Sequence, residues 1–323
     1  MTLEILKISK RFGNTWALRD VSFEVEDGSV IGIFGASGSG KSTLLNVIAG
    51  AVKPSGGSII ANGVDLAKIK AKERGVSLHV GHGDGGVKGI FDSLFQKSAG
   101  GETQLSRFER ASKATGKIWL LDEPFSEMDA AQREHAFKEI QKAAKDGGRI
   151  IFFASSDFLQ IIELTDEVAV IDRGEIVQTG TPQQIYEEPE SVKIARATGE
   201  NNLIPARRLS SSDDQIPEFY SIDGAHRIFA QPIEKGRLGA INQNVTLAIR
   251  PEHVSMSIGA SSPEDNLLRG VVTAIKFRGS TTLIEFDVGG LRLETRTFKV
   301  AGLNIGDECM LGLPPHRIII LRD

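Results

Sequence analysis

The sequence predicts an α/β domain followed by a smaller all-β domain. Over roughly the first two hundred of its 323 residues, short apolar runs alternate with helical patterns, which is typical of an α/β sheet. After Gly199 the pattern changes to short strands with period-two alternation and glycine-rich turns. We therefore expect a first domain at residues 1–202 and a β-barrel or sandwich at residues 203–323.

Within the first domain, three segments carry clear element signals. Val30–Phe34 is continuously apolar, as expected of a strand that is covered on both faces. Lys41–Ala49 has a helical apolar stripe and ends before Gly50, a typical helix stop. Asp129 is a suitable N-cap for a second helix that runs to about Lys145.

The second domain contains a hairpin signal. Ile284–Val288 alternates apolar and polar residues, Gly289 and Gly290 follow, and Leu291–Leu293 resumes the alternation. Two glycines between alternating strands favour a two-residue turn, because both turn positions need a positive φ. Several aromatic residues of this domain fall at apolar alternation positions, so we expect core packing rather than a nucleic-acid stacking platform.

Composition argues against several functional classes. The net charge is −4 with basic and acidic residues interleaved, so the basic face that nucleic-acid binding needs is not expected. Cys309 is the single cysteine, which excludes an intrachain disulfide and favours a reducing compartment. No apolar run approaches the ~18 residues of a membrane helix, and residues 1–10 show no signal-peptide pattern. Any link to a membrane is expected to run through another protein.

A glycine-rich segment between the first buried strand and its helix fits the phosphate-loop pattern GxxxxGK[ST]. Small residues let backbone N–H groups turn inward around phosphate oxygens, and the helix adds its positive N-terminal end. Lys41 would reach the β- and γ-phosphates, and the Ser42 hydroxyl would bind Mg²⁺. A plain glycine-rich turn is the alternative, although the strand before it and the helix after it favour the phosphate loop. The expected ATP-binding residues are Gly35, Ala36, Ser37, Gly38, Ser39, Gly40, Lys41, Ser42 and Thr43.

Two carboxylates follow another apolar strand. Ile118–Leu121 leads directly into Asp122 and Glu123. Asp122 would hold Mg²⁺ through water, and Glu123 would polarise the attacking water as general base. Alone, such a pair is common in surface loops. Together with the phosphate loop it indicates nucleotide hydrolysis.

With these motifs the chain resembles the ABC ATPases, most closely the import subunits for sugars, polyamines, iron and oxyanions that carry a C-terminal oligomer-binding-fold (TOBE) extension. The resemblance implies a P-loop NTPase with a RecA-like core, an antiparallel β subdomain and an OB-like second domain. It also implies that Phe12 stacks on adenine, with packing beneath the first sheet as the alternative. Asp129 would lie at the interface of an ATPase dimer. Other segments that match are Ser126–Asp129, Asp172–Ile176, Gly180–Pro182 and Ile249–Val254.

The sequence departs from the family pattern in four ways. Ser156 stands where the family places a switch histidine; its hydroxyl can hydrogen-bond a γ-phosphate but cannot carry the charge of an imidazole. Gly81 stands in place of a glutamine and offers no side-chain oxygen. The helical subdomain, about residues 81–116, is shortened to a stub. The signature LSGGQ falls on Ser98, Ala99, Gly100, Gly101 and Glu102, where the glutamate adds negative charge near phosphates.

A small cluster of possible metal ligands lies around the start of the stub. His79, His82 and Asp84 lie close together in sequence. A His-x-x-His spacing gives weak support for a metal site without a helix to align the two rings. A solvated glycine-rich loop at Gly81–Gly89 is the alternative.

The resemblance leaves three functional hypotheses open. In the first, the chain is a cytoplasmic ATPase subunit, peripheral on the inner membrane face, which dimerises, binds ATP and Mg²⁺ and drives a permease, while a separate solute-binding protein selects the solute. In the second, it binds ATP but turns over slowly and pairs with a complete paralogous ATPase. In the third, it acts on DNA or ribosomes, which usually requires a second cassette or long coiled coils. The second domain would stabilise the ATPase dimer or accept a regulator.

Overall fold

The computed structural model of the chain describes residues 2–80, 108–109, 116–209, 217–230, 240–257, 266–298 and 302–321. The chain divides into two compact units, Met1–Glu187 and Glu188–Asp323. The helices of the described residues include none that is long and apolar enough to span a membrane. The described strands of the first unit are β1 (Thr2–Phe12), β2 (Thr15–Glu26), β3 (Val30–Phe34), β4 (Gly56–Ala61), β5 (Val64–Asp65), β6 (Val76–Val80), β7 (Ile118–Asp122), β8 (Ile150–Ser155), β9 (Glu167–Asp172) and β10 (Glu175–Gly180), and its helices are α1 (Lys41–Ala49), α2 (Ala130–Lys145), α3 (Phe158–Leu164) and α4 (Pro182–Glu187).

The larger sheet of the first unit places three strand ends side by side. Over the described residues its order is β10-β9-β3-β8-β7-β6. All its neighbouring pairs are parallel except β9 and β10. Strands β3, β7 and β8 are buried at every residue, as expected of parallel strands that are covered on both faces. Their carboxyl ends therefore meet at one edge of the sheet, where the predicted site residues follow.

The elements predicted around this edge are confirmed. Helix α1 begins at Lys41 and ends at Ala49, and Gly50 takes a φ of 79° that closes it. Asp129 caps α2, because its side chain accepts a hydrogen bond from the Gln132 backbone N–H at 2.9 Å. An antiparallel sheet of order β2-β1-β4-β5 within the described chain forms the predicted β subdomain.

The second unit is built from two antiparallel sheets. Its described elements are helix α5 (Val192–Thr198) and strands β11 (Asn202–Arg208), β12 (Glu218–Ser221), β13 (Arg227–Phe229), β14 (Asn244–Ile249), β15 (Ser255–Ser257), β16 (Asn266–Phe277), β17 (Thr282–Val288), β18 (Leu291–Thr297), β19 (Glu308–Leu313) and β20 (Ile319–Leu321). Over the described residues the sheet orders are β13-β12-β11-β14-β20 and β15-β19-β16-β17-β18. One apolar core draws on both sheets, for example Leu247 from the first and Phe286 from the second. The predicted hairpin is confirmed, since Gly289 and Gly290 both have positive φ.

Helix α5 is part of the second unit, so the division between units lies before the boundary expected after residue 202. Ala195 of α5 packs with Ala248 and Leu321. The guanidinium of Arg250, which is only 2% exposed, donates to Thr198 Oγ1 at 2.8 Å and to the Glu200 carbonyl at 3.2 Å. The sequence pattern of the helix is typical of the α/β domain, but its contacts tie it to β14.

Candidate nucleotide site

The glycines of the phosphate loop are required by close backbone contacts. A Cβ atom at Gly35 would lie 2.3 Å from the carbonyl oxygen of Ile171 in β9. A Cβ atom at Gly40 would lie 2.7 Å from the carbonyl oxygen of Ala17 in β2, and Gly40 also has a φ of 118°. Real Cβ atoms do not approach an oxygen this closely, so only glycine fits at both positions. The loop is therefore held tightly between β2 and β9.

The turn between β9 and β10 fixes the loop from one side. The Gly174 backbone N–H donates to the Ser39 carbonyl at 2.8 Å, and the Gly174 carbonyl accepts from Arg19 N at 2.8 Å. The Ser39 hydroxyl is buried and finds no hydrogen-bond partner among the described residues. A buried polar group without a partner is unfavourable unless a ligand satisfies it. The loop thus presents an unsatisfied hydroxyl within a rigid frame.

Lys41, the first residue of α1, lies folded over the loop. Its Nζ donates to the carbonyl of Gly35 at 2.7 Å and to that of Ala36 at 3.1 Å. The same nitrogen lies 3.7 Å from Glu123 Oε1, and the side chain is only 6% exposed. The structure therefore brings the predicted phosphate-binding lysine and the predicted general base into contact.

Asp122 and Ser42 form the part of the site suited to a cation. Asp122 ends β7, is 6% exposed and hydrogen-bonds the Ser42 side chain. Burial raises the pKa of Asp122, and the neighbouring charge of Glu123 also raises it, while Ser42 and Lys41 oppose the shift. Asp122 Oδ1 is buried without a hydrogen-bond partner in the described chain. A partnerless carboxylate oxygen beside a hydroxyl is the hard oxygen donor set that Mg²⁺ prefers, so these residues fit the ion.

Glu123 is held by the end of β8. Its Oε1 accepts a hydrogen bond from the Ser156 backbone N–H at 2.8 Å, and the Ser155 hydroxyl lies 3.4 Å from its Oε2. Its own backbone has a φ of 46°, a conformation that costs a non-glycine residue about 1–3 kcal/mol. The Ser156 side chain is exposed, so this residue contacts Glu123 through its backbone. The sequence pattern predicted a site role for Ser156, and it gave no indication that Ser155 contacts Glu123.

The predicted adenine contact lies at the tip of the β1–β2 hairpin. Phe12 is 51% exposed, and the ammonium of Lys10 lies 4.8 Å from its ring centroid. Trp16 is 40% exposed on the adjacent strand opposite Arg11, whose guanidinium lies 5.7 Å from the centroid of the Trp16 ring. Phe12 is therefore half exposed rather than packed beneath the sheet.

Several predicted residues lie outside the described residues. Of the matching segment Ser126–Asp129, Asp129 is exposed and caps α2. The remaining predictions concern the signature, the glutamine position and the histidine cluster. The residues outside the described ranges are Gly81, His82, Asp84, Ser98, Ala99, Gly100, Gly101 and Glu102, and the side chain of His79 is not described either.

Comparisons with known proteins bear on the whole chain. The family profile described as ABC transporter matches residues 18–84, and the one described as TOBE domain matches residues 247–321. The maltose/maltodextrin import ATP-binding protein MalK of Photorhabdus laumondii is 26% identical over 355 residues, which cover 98% of this chain and 94% of the relative. The Fe(3+) ions import ATP-binding protein FbpC 2 of Haemophilus influenzae is 26% identical over 346 residues, covering 95% and 93%. A solved nucleotide-free ATP-binding cassette from an ABC transporter aligns with 62% of this chain and all of its own, at 21% identity and a TM-score of 0.49.

The two relatives also bear on the length of the chain. Both alignments run over more positions than the 323 residues present here, so each relative carries residues that this chain lacks. The predicted shortening of the helical subdomain at residues 81–116 would account for this difference in length. That the missing residues fall there remains a prediction. The profile matches and the relatives confirm the predicted resemblance and the predicted fold class.

Proposed function

Because the chain is an ABC-type ATPase that resembles importer subunits over nearly its whole length, we propose that it couples the binding and hydrolysis of MgATP to solute uptake through separate permease subunits. The observation that carries this proposal is the convergence of Lys41, Asp122 and Glu123 at one edge of the sheet, where β3 and β7 end on either side of β8. The subunit would be cytoplasmic and peripheral on the membrane, with an extracytoplasmic binding protein acting indirectly. Nucleic acid is not an expected partner.

Each side chain of the site has a separate task in this proposal. Lys41 would exchange its carbonyl partners for the β- and γ-phosphates, since phosphate oxygens offer it a full negative charge. Ser42 and Asp122 would hold Mg²⁺, which neutralises charge on the phosphates when it is bound. Glu123 would accept the proton of the attacking water. Phe12 would stack on adenine.

A second candidate function is an ATP-binding subunit with weak turnover that works beside a complete paralogous ATPase. The observation that favours it is the serine at position 156, whose contact with the site is a backbone N–H. Without an imidazole there, one electrostatic contact to the transferring phosphate is lost, which typically costs about 10²–10³ in rate. A partner subunit with an intact signature and switch histidine would compensate in an asymmetric dimer.

The two candidates are separated by measuring Mg²⁺-dependent ATP turnover of the full chain across protein concentration. A turnover rate per chain that rises with protein concentration and is abolished by Glu123→Gln supports the first candidate. Glu134→Gln, an equal loss of charge on the exposed surface of α2, serves as the matched control and should turn over as the wild type does. Nucleotide binding without turnover at every concentration supports the second candidate, and a chain that binds no ATP contradicts both.

A further inference from the structure

The two serines at the end of β8 differ in their relation to Glu123. Ser155 is the last residue of β8 and its side chain is fully buried, whereas Ser156 is exposed. Ser155 pairs in the sheet with Phe34, the residue just before the phosphate loop. It also lies one residue beyond the level of Asp122 on the other neighbouring strand. Ser155 therefore stands between the start of the phosphate loop and the carboxylate that follows β7.

The Ser155 hydroxyl has three polar neighbours. Its oxygen accepts a hydrogen bond from the Asp157 backbone N–H at 3.0 Å. Glu123 Oε2 lies 3.4 Å away, and Gln160 Oε1 lies 3.2 Å away. A hydroxyl has a single proton to donate, so these two acceptors share it. When either Glu123 or Gln160 turns toward another partner, the Ser155 proton is available to the remaining acceptor.

Helix α3 holds Gln160 in the orientation this sharing needs. The Gln160 Nε2 donates to Asp157 Oδ2 at 3.1 Å, which leaves Oε1 directed at the Ser155 hydroxyl. Asp157 is itself fixed as the N-cap of α3, because its Oδ1 accepts from Leu159 N at 3.0 Å. The hydrogen-bond network thus starts at a helix end and reaches Glu123.

The other carboxylate oxygen of Glu123 faces the phosphate loop. It accepts from Ser156 N and lies 3.7 Å from Lys41 Nζ. A bound nucleotide would draw the ammonium of Lys41 toward its phosphates. The carboxylate would then keep its contacts with the end of β8, one on each oxygen.

Building on the proposed hydrolysis, we propose that Ser155 is the positioning residue for the general base Glu123. Its buried hydroxyl donates to Oε2 while the Ser156 backbone N–H donates to Oε1, and together they aim the carboxylate at the attacking water. The water proton passes to Glu123 as the water oxygen bonds to the γ-phosphorus and the bond to the ADP oxygen breaks. Ser155 keeps its own proton throughout.

Two serine-to-alanine variants test this assignment in turnover. Ser155→Ala should lower kcat about tenfold with KM unchanged, because a hydrogen bond to a charged group of the transition state is lost. Ser156→Ala keeps the backbone N–H and should lower kcat less than Ser155→Ala does.

Two further variants separate positioning from packing. Ser221→Ala removes an equally buried hydroxyl in the second unit, where it donates to the Asp223 carbonyl at 2.7 Å. It should lower the melting temperature and leave kcat and KM unchanged. Ser155→Thr retains the hydroxyl and should restore kcat. A Ser155→Ala variant with the kcat of the wild type, or a larger loss of kcat in Ser156→Ala than in Ser155→Ala, overturns the proposal.

A thermal double-mutant cycle on the nucleotide-free chain gives a readout that does not depend on turnover. Ser155→Ala should lower the melting temperature of the wild type more than that of a Glu123→Ala variant, because the hydrogen bond exists only in the former. Additive shifts overturn the Ser155 assignment. Absence of ATP turnover by the wild type would contradict the proposed hydrolysis without deciding the role of Ser155. In that case non-additive melting shifts would still support the hydrogen bond between Ser155 and Glu123, and additive shifts would still refute it.

Discussion

Replacing Gly35 by alanine should distort the phosphate loop at its first residue. The new Cβ would lie 2.3 Å from the Ile171 carbonyl oxygen and 2.7 Å from Ser39 Oγ. The hydroxyl can rotate away, but the carbonyl belongs to the backbone of β9 and cannot. The loop must therefore shift by roughly 1 Å, the gap to an ordinary contact, and overpacking of this kind costs about 1–3 kcal/mol.

The shift also changes the ligand-binding groups. The Gly35 carbonyl holds Lys41 at 2.7 Å, so moving it displaces both the lysine and the loop N–H groups that would surround phosphate. We expect Gly35→Ala to weaken ATP binding at least tenfold, which corresponds to about 1.4 kcal/mol. Isothermal titration with ATP and Mg²⁺ measures the affinity, and thermal unfolding measures the strain.

The matched control is Gly56→Ala at the start of β4. A Cβ atom there meets nothing within 4 Å and no positive φ is required, so affinity and melting temperature should stay at wild-type values. If Gly35→Ala binds ATP as the wild type does and melts at the same temperature, the loop is not held against β9 in solution, and the steric argument is refuted.

Three further predictions concern other parts of the chain. Burial raises the pKa of Asp122 above its ordinary value of 3.8, so the free energy of unfolding falls as pH rises from 3.8 through the folded pKa. At neutral pH, Asp122→Asn should therefore be more stable than the wild type by about 1.4 kcal/mol for each unit by which the folded pKa exceeds the ordinary one. Denaturant unfolding below pH 3.8 should not show this gain. Arg250→Ala should destabilise the second unit by about 3 kcal/mol in denaturant unfolding, because it leaves the Thr198 and Glu200 oxygens without their buried donor; an unchanged midpoint would contradict this. Phe12→Ala should weaken ATP binding about tenfold but inorganic triphosphate binding little, and equal losses for both ligands would argue against stacking on the base.

The elements that the sequence predicted correctly are those with local signals. Helix α1 was bounded by a phosphate-loop lysine and a stop glycine, and both ends lie where they were expected. Asp129 carried the side chain that caps a helix, and Gly289–Gly290 carried the freedom that a tight hairpin turn needs. Such features depend on neighbours within a few residues, which is why composition and spacing reveal them.

The features that were missed depend on register between distant segments. Ser155 contacts Glu123 because parallel pairing sets β8 beside β7, and no spacing within either strand reveals which serine faces inward. The place of α5 in the second unit follows from the reach of Arg250 across some fifty residues of sequence. These contacts are products of the fold, so the sequence pattern alone could not show them.

The most direct test of the central claim is phosphate release from ATP and Mg²⁺ by the full chain, with wild type and Glu123→Gln compared at the same protein concentrations. We predict that the wild type releases phosphate at a rate per chain that increases with protein concentration. Glu123→Gln should lose this release while its affinity for ATP is retained. Equal release by both proteins would contradict the assignment of Glu123 as general base, and failure of the wild type to bind ATP would contradict the function itself.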